Sequence, residues 1–408
     1  MIKLISKILS VPANDFKILI ISFAFLFSIF CSYSILKPLR DALATVGALH
    51  DIKWLFMATF IFSLVAVFAG MYLSARVKRG HYIVIIFLFF TLNIFLFYIF
   101  FINYGETLWG ARVFFVWASV FNLFVISTGF LLLADRFDKE TSKRLFGIVF
   151  AGASLGSIIG ALFTSLLSKV LGLENLLLVS ALLLLMSAFL STLILKGAKS
   201  KDLVINPKNP FNGISLILKS KYLLLIAAFI LLTTAANTFL YLEQARVVKL
   251  AFASREERVS VFANIDFIVQ TLSLLIQIFF TGKVAKRLGI SFLLVIVPLI
   301  LAFGFIVIAF THPIFYIFVV FMVIRRVGEY AFIKPGREMA FVVLSEEEKY
   351  RTKSFFDTAL YRFGDMGSSW LESLLSHIGV KVALFGGAFL CFVWAYNAFM
   401  LSRFYKRK

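Results

Sequence analysis

Tyr33-Ser34-Ile35-Leu36-Lys37-Pro38-Leu39-Arg40-Asp41 is the stretch on which the fold of this chain turns. It closes a long apolar run, residues 16–36, with Lys37, Pro38, Arg40 and Asp41 inside five positions. A second apolar run ends in a related way at Tyr241-Leu242-Glu243-Gln244-Ala245-Arg246. At one constant offset of 206, Leu36 matches Leu242, Lys37 matches Glu243 and Arg40 matches Arg246. Charges at the end of a membrane helix, echoed in each half of a chain, fit a two-fold transporter with a central site. The plainer reading is that each cluster marks where a helix leaves the bilayer and its charges snorkel to water.

Composition supports the membrane reading. Hydrophobic residues make up 61% of the 408 and charged residues 15%, whereas soluble domains sit near ~45–50% and ~25%. The apolar runs are continuous, which excludes a β-barrel with its alternating strands. Twelve spans are expected: 16–36, 54–74, 81–103, 108–133, 146–168, 174–195, 222–242, 259–280, 290–310, 312–333, 354–377 and 380–402, each near the ~20 residues a bilayer core requires. The fold class is therefore all-α and integral to the membrane, with two pseudo-symmetric six-helix halves. These are residues 1–195 and 222–408, joined by a cytoplasmic linker over 196–221. Within that linker Asn206-Pro207-Lys208-Asn209-Pro210 reads as irregular chain.

The net charge of +20 raises the possibility of nucleic acid, but topology explains it better. Of the 41 Lys and Arg, 27 lie at the two ends and in alternate connections, against 8 in the opposite ones. That bias places both termini and the linker in the cytoplasm. Lys3 and Lys7 precede the first run with no small-residue cleavage site after it, so a retained first span in a bacterial inner membrane is expected. Cys31 and Cys391 fall in spans, and the four histidines, 50, 81, 312 and 377, are scattered. No disulfide framework, metal site or cofactor is expected, nor any nucleic-acid partner, and the protein is expected to be a monomer. Neither a Walker A pattern nor G-x-S-x-G nor H-E-x-x-H occurs. The chain is expected not to be an enzyme, and any pumping has to come from exchange or an ion gradient.

Several residues stand out inside the spans. Gly152, Gly156 and Gly160 recur every four positions in span 5, as in close helix packing; packing between the halves, with sliding during alternating access, is the expectation. Asp266 and Gln270 share a face of span 8. Asp266 reads either as a proton or cation coupling group or as a structural partner of Arg246 or Arg40. Arg325, Arg326 and Glu329 crowd the end of span 10, with a Arg325–Glu329 bridge expected from their spacing. Asp357, Arg362 and Asp365 lie in span 11. Even with some pairing, Lys37, Arg40, Arg246, Arg326 and Arg362 leave the centre more basic than acidic. Guanidinium groups clamp phosphates and carboxylates bidentately, so an anionic substrate is expected.

Two resemblances follow from these stretches. Arg76-Val77-Lys78-Arg79-Gly80 is echoed by Lys283 to Gly289, and the second resembles the short basic loop of the major facilitator superfamily, with Lys286 where that family often has Asp. Tyr33 to Asp41 resembles the Y-x-I-L-R-x-x-K-D signature of the bacterial and plastid ATP/ADP translocases, the nucleotide transporter (TLC) family. The two basic identities are exchanged here. Arg337-Glu338-Met339-Ala340-Phe341, with Phe356-Asp357 beyond it, resembles that family's K-E-M-A-Y and A-I-D segments. Leu242-Glu243 resembles its L-V-E-x-x-W-K, with Arg246 one residue short of the Lys. The family's G-K-S-G-G is here Gly364-Asp365-Met366-Gly367-Ser368, and Arg362 stands nearly a turn earlier.

The resemblance implies a nucleotide exchanger with alternating access. Lys37, Arg40, Glu243, Arg246, Arg326 and Arg362 would meet substrate, and Asp266, Glu329, Asp357 and Asp365 would couple or gate. Two alternatives stay open: a proton- or cation-coupled carrier of another organic or lipid-like anion, and a non-transporting membrane protein.

Overall fold

The structure, a computed structural model, describes residues 13–137, 139–196, 214–345, 348, 352–353 and 355–407. The Asn206–Pro210 segment and Lys3 and Lys7 lie outside the described residues. Among those described, the chain is helical throughout, with no strand. The helices are α1 (Ala13–Leu43), α2 (Ile52–Arg76), α3 (Arg79–Tyr104) and α4 (Leu108–Arg136). A long helix, Lys139–Leu195, is broken at Gly172 into α5 (139–171) and α6 (173–195). A short helix, Ile214–Lys219, precedes α7 (Lys221–Ala251). Next come α8 (255–288) and α9 (290–311), separated at Gly289. They are followed by α10 (315–342), α11 (356–378) and α12 (Val380–Arg407).

Hydropathy and length alone pick out most of these as spans. Two of the apolar stretches, Gly147–Leu195 and Arg255–Thr311, are pairs of spans. Their breaks fall where Gly172 (φ 74°) and Gly289 (φ 72°) take left-handed backbone, which a side chain would disfavour. α10 and α11 are less apolar because they carry the charges of the candidate site. The twelve expected spans are therefore present among the described residues.

Two boundaries differ from expectation. The helix carrying Tyr33–Asp41 outlasts its apolar run: α1 runs on through Pro38 to Leu43, with Arg40 in its last turn. Likewise Glu243 and Arg246 sit inside α7, which continues to Ala251. Charges can stay inside a membrane helix when they are paired, and these are. Pro38 removes the donor to the Ser34 carbonyl, a loss that membrane helices tolerate when neighbours compensate.

The chain forms two compact units. One comprises Met1–Ala44, Val65–Pro207 and Ser254–Phe267; the other comprises Thr45–Leu64, Lys208–Ala253 and Ile268–Lys408. Each takes a short piece from the opposite half of the sequence, the start of α8 in the first unit and the start of α2 in the second.

The first unit is built around α1. Gly152, Gly156 and Gly160 of α5 lie directly on its backbone: a Cβ at these positions would clash with Phe23 O and Phe27 O and sit 2.6 Å from Cys31 O. The glycine stripe thus seats α5 on α1 within one unit, which corrects the expectation that it packs the halves together. On another face of α1, Ser28 bonds Ser187 at 2.7 Å and Ser32 bonds Ser180 at 2.8 Å, both on α6. Small residues and hydroxyls of this kind hold helices together where lipid offers no hydrophobic drive.

The core of the second unit gathers α7, α9, α10 and α12 around Phe229, Phe305, Phe341 and Trp394, all buried. The Tyr222 hydroxyl donates to Ala340 O at 2.7 Å and ties α7 to the end of α10. Of three π-helical turns, Gln277–Thr281 and Glu329–Ile333 interrupt α8 and α10, and Phe356–Leu360 opens α11. The first two face each other: Gln277 Nε2 donates to Tyr330 O and Thr281 Oγ1 to Ala331 O, each at 3.0 Å. Such turns often occur at functional sites, and two of them carry Glu329 and Asp357.

The glycine contact makes a direct prediction. Gly156→Ala forces a methyl against a backbone carbonyl that cannot swing away, so it is expected to cost about 1–3 kcal/mol, the usual range for overpacking. Thermal unfolding of the purified variant checks this, and an unchanged midpoint contradicts the packing described. Gly147→Ala, where a Cβ meets open space, is expected not to lower the midpoint, since alanine favours a helix over glycine.

Candidate functional site

In the first unit, Lys37 on α1 reaches the carboxylate of Asp266 on α8. Its Nζ lies 2.6 Å from Oδ1 and 2.7 Å from Oδ2, with side-chain exposures of 19% and 6%. The sequence reading offers Arg246 or Arg40 as a structural partner, and Lys37 fills that place. One turn on, Arg40 donates through Nε (3.0 Å) and Nη2 (2.7 Å) to Asp41 Oδ1, and its guanidinium lies over Phe115 of α4 at 5.4 Å. Asn264, two residues before Asp266, accepts from Ser165 of α5 at 2.6 Å. Ser260 donates to the Ser165 carbonyl at 3.0 Å. Together these bonds fix the α8 segment that presents Asp266.

The second unit holds two clusters on α7. Glu243 is fully buried. It accepts from Arg246 Nη1 and pairs through Oε1 with His312 Nδ1 at 2.6 Å. Arg246 turns its other nitrogen, Nη2, to Glu372 of α11 at 2.9 Å. One guanidinium therefore bridges two buried carboxylates, and an imidazole completes the set.

Two turns earlier, Asn237 and Thr238 organise the other cluster. Asn237 Oδ1 accepts from Arg325 Nη1 at 2.5 Å, and its Nδ2 donates to Glu329 Oε2 at 3.2 Å. The expected Arg325–Glu329 bridge is present at 3.4 Å. Thr238 Oγ1 donates to Asp365 Oδ1 at 3.3 Å, and Arg362 Nη1 lies 3.7 Å from Asp365 Oδ2. Arg326 is buried next to Arg325. Asp357 stands apart from both clusters and pairs with Arg337 at 3.1 Å.

The structure thus groups Lys37, Arg40 and Asp266 in one unit. In the other it brings Glu243 to Arg246, and Glu329, Asp365 and Arg362 to a polar pair on α7. Of the five cations expected to leave the centre basic, Lys37, Arg40, Arg246 and Arg362 each have a carboxylate partner, as does Arg325. The sequence reading missed Asn237, Thr238, Glu372 and His312 as members. Glu372 lies seven residues after Asp365, which puts it on the same helical face, so a signal existed. For His312, in the connection before α10, the sequence holds none.

Chemically, these are sites of paired charge in which donors are already aimed at oxygen atoms. A phosphate or carboxylate of a ligand presents the same acceptors that Asp266 and Glu372 now supply.

The sequence and fold agree with known carriers. A Major Facilitator Superfamily model matches residues 18–329. ADP,ATP carrier protein 1 of Chlamydia trachomatis serovar D is 24% identical over 240 residues, covering 52% of this chain and 44% of that carrier. The protein of the same name from Chlamydia pneumoniae is 24% identical over 196 residues, covering 43% and 37%. The matched stretch spans less than half the length of either carrier. Among solved structures, the nucleoside transporter NupG superposes with a TM-score of 0.71 at 13% identity, over 94% of this chain and 98% of its own. The POT family transporter PepTSo gives 0.69 at 14%, over 96% and 98%. With twelve spans, the paired intramembrane charges and a family match from α1 into α10, the chain belongs to the Major Facilitator Superfamily.

Proposed function

We propose that this protein is a secondary carrier of nucleotide-like, phosphorylated anions, working by exchange across a bacterial inner membrane. The observation that carries this reading is the Lys37–Asp266 pair. An ammonium and a carboxylate meet inside a membrane unit, beside Arg40, in the stretch that resembles the ATP/ADP translocase signature. The weak similarity to ADP,ATP carrier proteins supports the same substrate class. In this reading Asp266 holds the place of a substrate phosphate while the site is empty. Substrate phosphate displaces it and takes over the donors of Lys37 and Arg40. Arg246 does the same in its own unit, giving up Glu372 while Glu243 keeps it oriented. A carrier whose empty cations are satisfied internally has little reason to change state without an anion, and that favours exchange over leak. Both termini and the 196–221 connection face the cytoplasm in this proposal.

The Glu243–His312 contact favours a second reading, a proton-coupled carrier of another organic anion. There a buried carboxylate meets an imidazole nitrogen at 2.6 Å, two groups that can each carry a proton.

Proteoliposomes separate the two. Uptake of labelled ATP or ADP is expected to rise with unlabelled nucleotide inside and to persist when a protonophore collapses the gradient. Loss of uptake with the protonophore supports the second reading, and no stimulation across a nucleotide panel removes the first.

The ion pair has its own signature. Lys37→Ala strands a buried carboxylate and is expected to cost on the order of a few kcal/mol. Adding Asp266→Ala restores most of the thermal midpoint but not exchange, because the substrate's cation is still missing. Recovery of exchange in the double variant makes the pair purely structural.

A further inference from the structure

A recess of about 270 Å³ opens in the second unit between the start of α2 and α11. It is large enough for a small solvated anion, since a single water needs only ~10–15 Å³ of such space. Its wall shares Arg246 and Glu372 with the Glu243 network and adds Lys53, Ser369, Ser373 and Ser376.

Lys53 is the residue that asks for a ligand. It is half-buried, its Nζ donates to Ser373 Oγ at 3.1 Å and lies 4.9 Å over the Trp370 ring. Among the described residues it has no carboxylate within ion-pair distance, unlike Lys37, Arg40, Arg246 and Arg362. A lysine held in a membrane unit on a hydroxyl and an aromatic face, without a counter-ion, is costly unless an anion completes it. The neighbouring Asp51 is engaged with His50 at 3.2 Å.

The facing wall supplies what a tetrahedral oxyanion uses. Ser369, Ser373 and Ser376 recur at spacings of four and three and so share one face of α11. Ser369 and Ser376 now turn their hydroxyls back to the carbonyls of Met366 and Ser373. Such bonds are easily exchanged, because a hydroxyl rotates to suit a better acceptor. Arg246 contributes a guanidinium, and Glu372 orients it at 2.9 Å.

We infer that this recess is a binding site for a phosphate group, with Lys53 as its principal cation and the Ser369–Ser373–Ser376 face as its hydroxyl donors. The assignment rests on the phosphorylated-anion reading for its ligand class, and adds to it a contact outside the stretches that resemble the translocases. The phosphate can be free or carried on a nucleoside; the recess chemistry is common to both.

The test is calorimetric titration of the full-length protein in detergent with inorganic phosphate, adenosine monophosphate and adenosine. Saturable binding of one or both phosphate compounds is expected, with adenosine much weaker. Tighter monophosphate binding marks a substrate phosphoryl group, and tighter inorganic phosphate marks the free ion; both support the site. Lys53→Gln is expected to weaken phosphate binding by about tenfold or more, equivalent to ~1.4 kcal/mol, and Lys53→Arg to recover most of it. Ser373→Ala serves as a second, milder probe should Lys53→Gln fail to fold, and is expected to weaken binding severalfold. Exposed Lys283→Gln is the charge control and is expected to change nothing. The inference is overturned if the wild type binds neither phosphate compound saturably, if adenosine binds as well as its monophosphate, or if Lys53→Gln and Ser373→Ala both bind like wild type. Phosphate binding without nucleotide exchange removes the proposed function and leaves this site standing. Nucleotide exchange with unaltered phosphate binding in both variants removes this site alone.

Discussion

A charge inside a bilayer has to be matched, and much of this protein's interior is organised by how that matching is done. Lys37 holds Asp266 by both oxygens. Arg246 is divided between Glu243 and Glu372. Arg325 is shared between Asn237 and Glu329. Each arrangement requires helices far apart in sequence to meet at defined heights, so the polar residues act on register as much as on energy. Around them, close backbone packing does the holding: the glycine stripe of α5 sets α1 at near-contact distance, and α1 then presents Lys37 and Arg40 at a fixed rotation.

Much of the architecture is legible in the sequence because hydrophobic runs of membrane length need no tertiary information. The left-handed glycines at 172 and 289 mark span breaks, and the basic loops mark the rhythm of crossings. What the sequence does not disclose is partnership across distance. Asp266 lies 229 residues from Lys37, and nothing local distinguishes Lys37 from Arg246 or Arg40 as its partner. The partner of the glycine stripe is hidden for the same reason, since a small-residue face announces close packing but not with whom. Arg325 and Glu329 were readable because four residues bring them together on one helix. The apolar runs stop short of the helix ends at Leu43 and Ala251 because paired charges let a helix continue where unpaired ones end a span.

Under the proposed function, the pairing also bears on which anions are selected. A surplus of bare cations would attract any anion and hold it. Cations already satisfied by carboxylates select instead for ligands that offer better oxygen geometry or more charge than a carboxylate, and phosphate groups do both. The departure at Asp365 fits this pattern, because an acid at that position neutralises Arg362 at 3.7 Å and receives Thr238. Lys53 stands as the exception, bonded to the Ser373 hydroxyl with no carboxylate within ion-pair distance among the described residues.

The central claim is that Asp266 competes with the substrate for Lys37. Equilibrium binding of ADP to the purified Asp266→Asn variant, compared with wild type, tests it most directly. The account predicts tighter binding by about tenfold or more, the equivalent of ~1.4 kcal/mol, since the internal competitor is gone and its cation remains. Unchanged or weaker binding in a folded variant contradicts it, and makes the Lys37–Asp266 pair a structural strut.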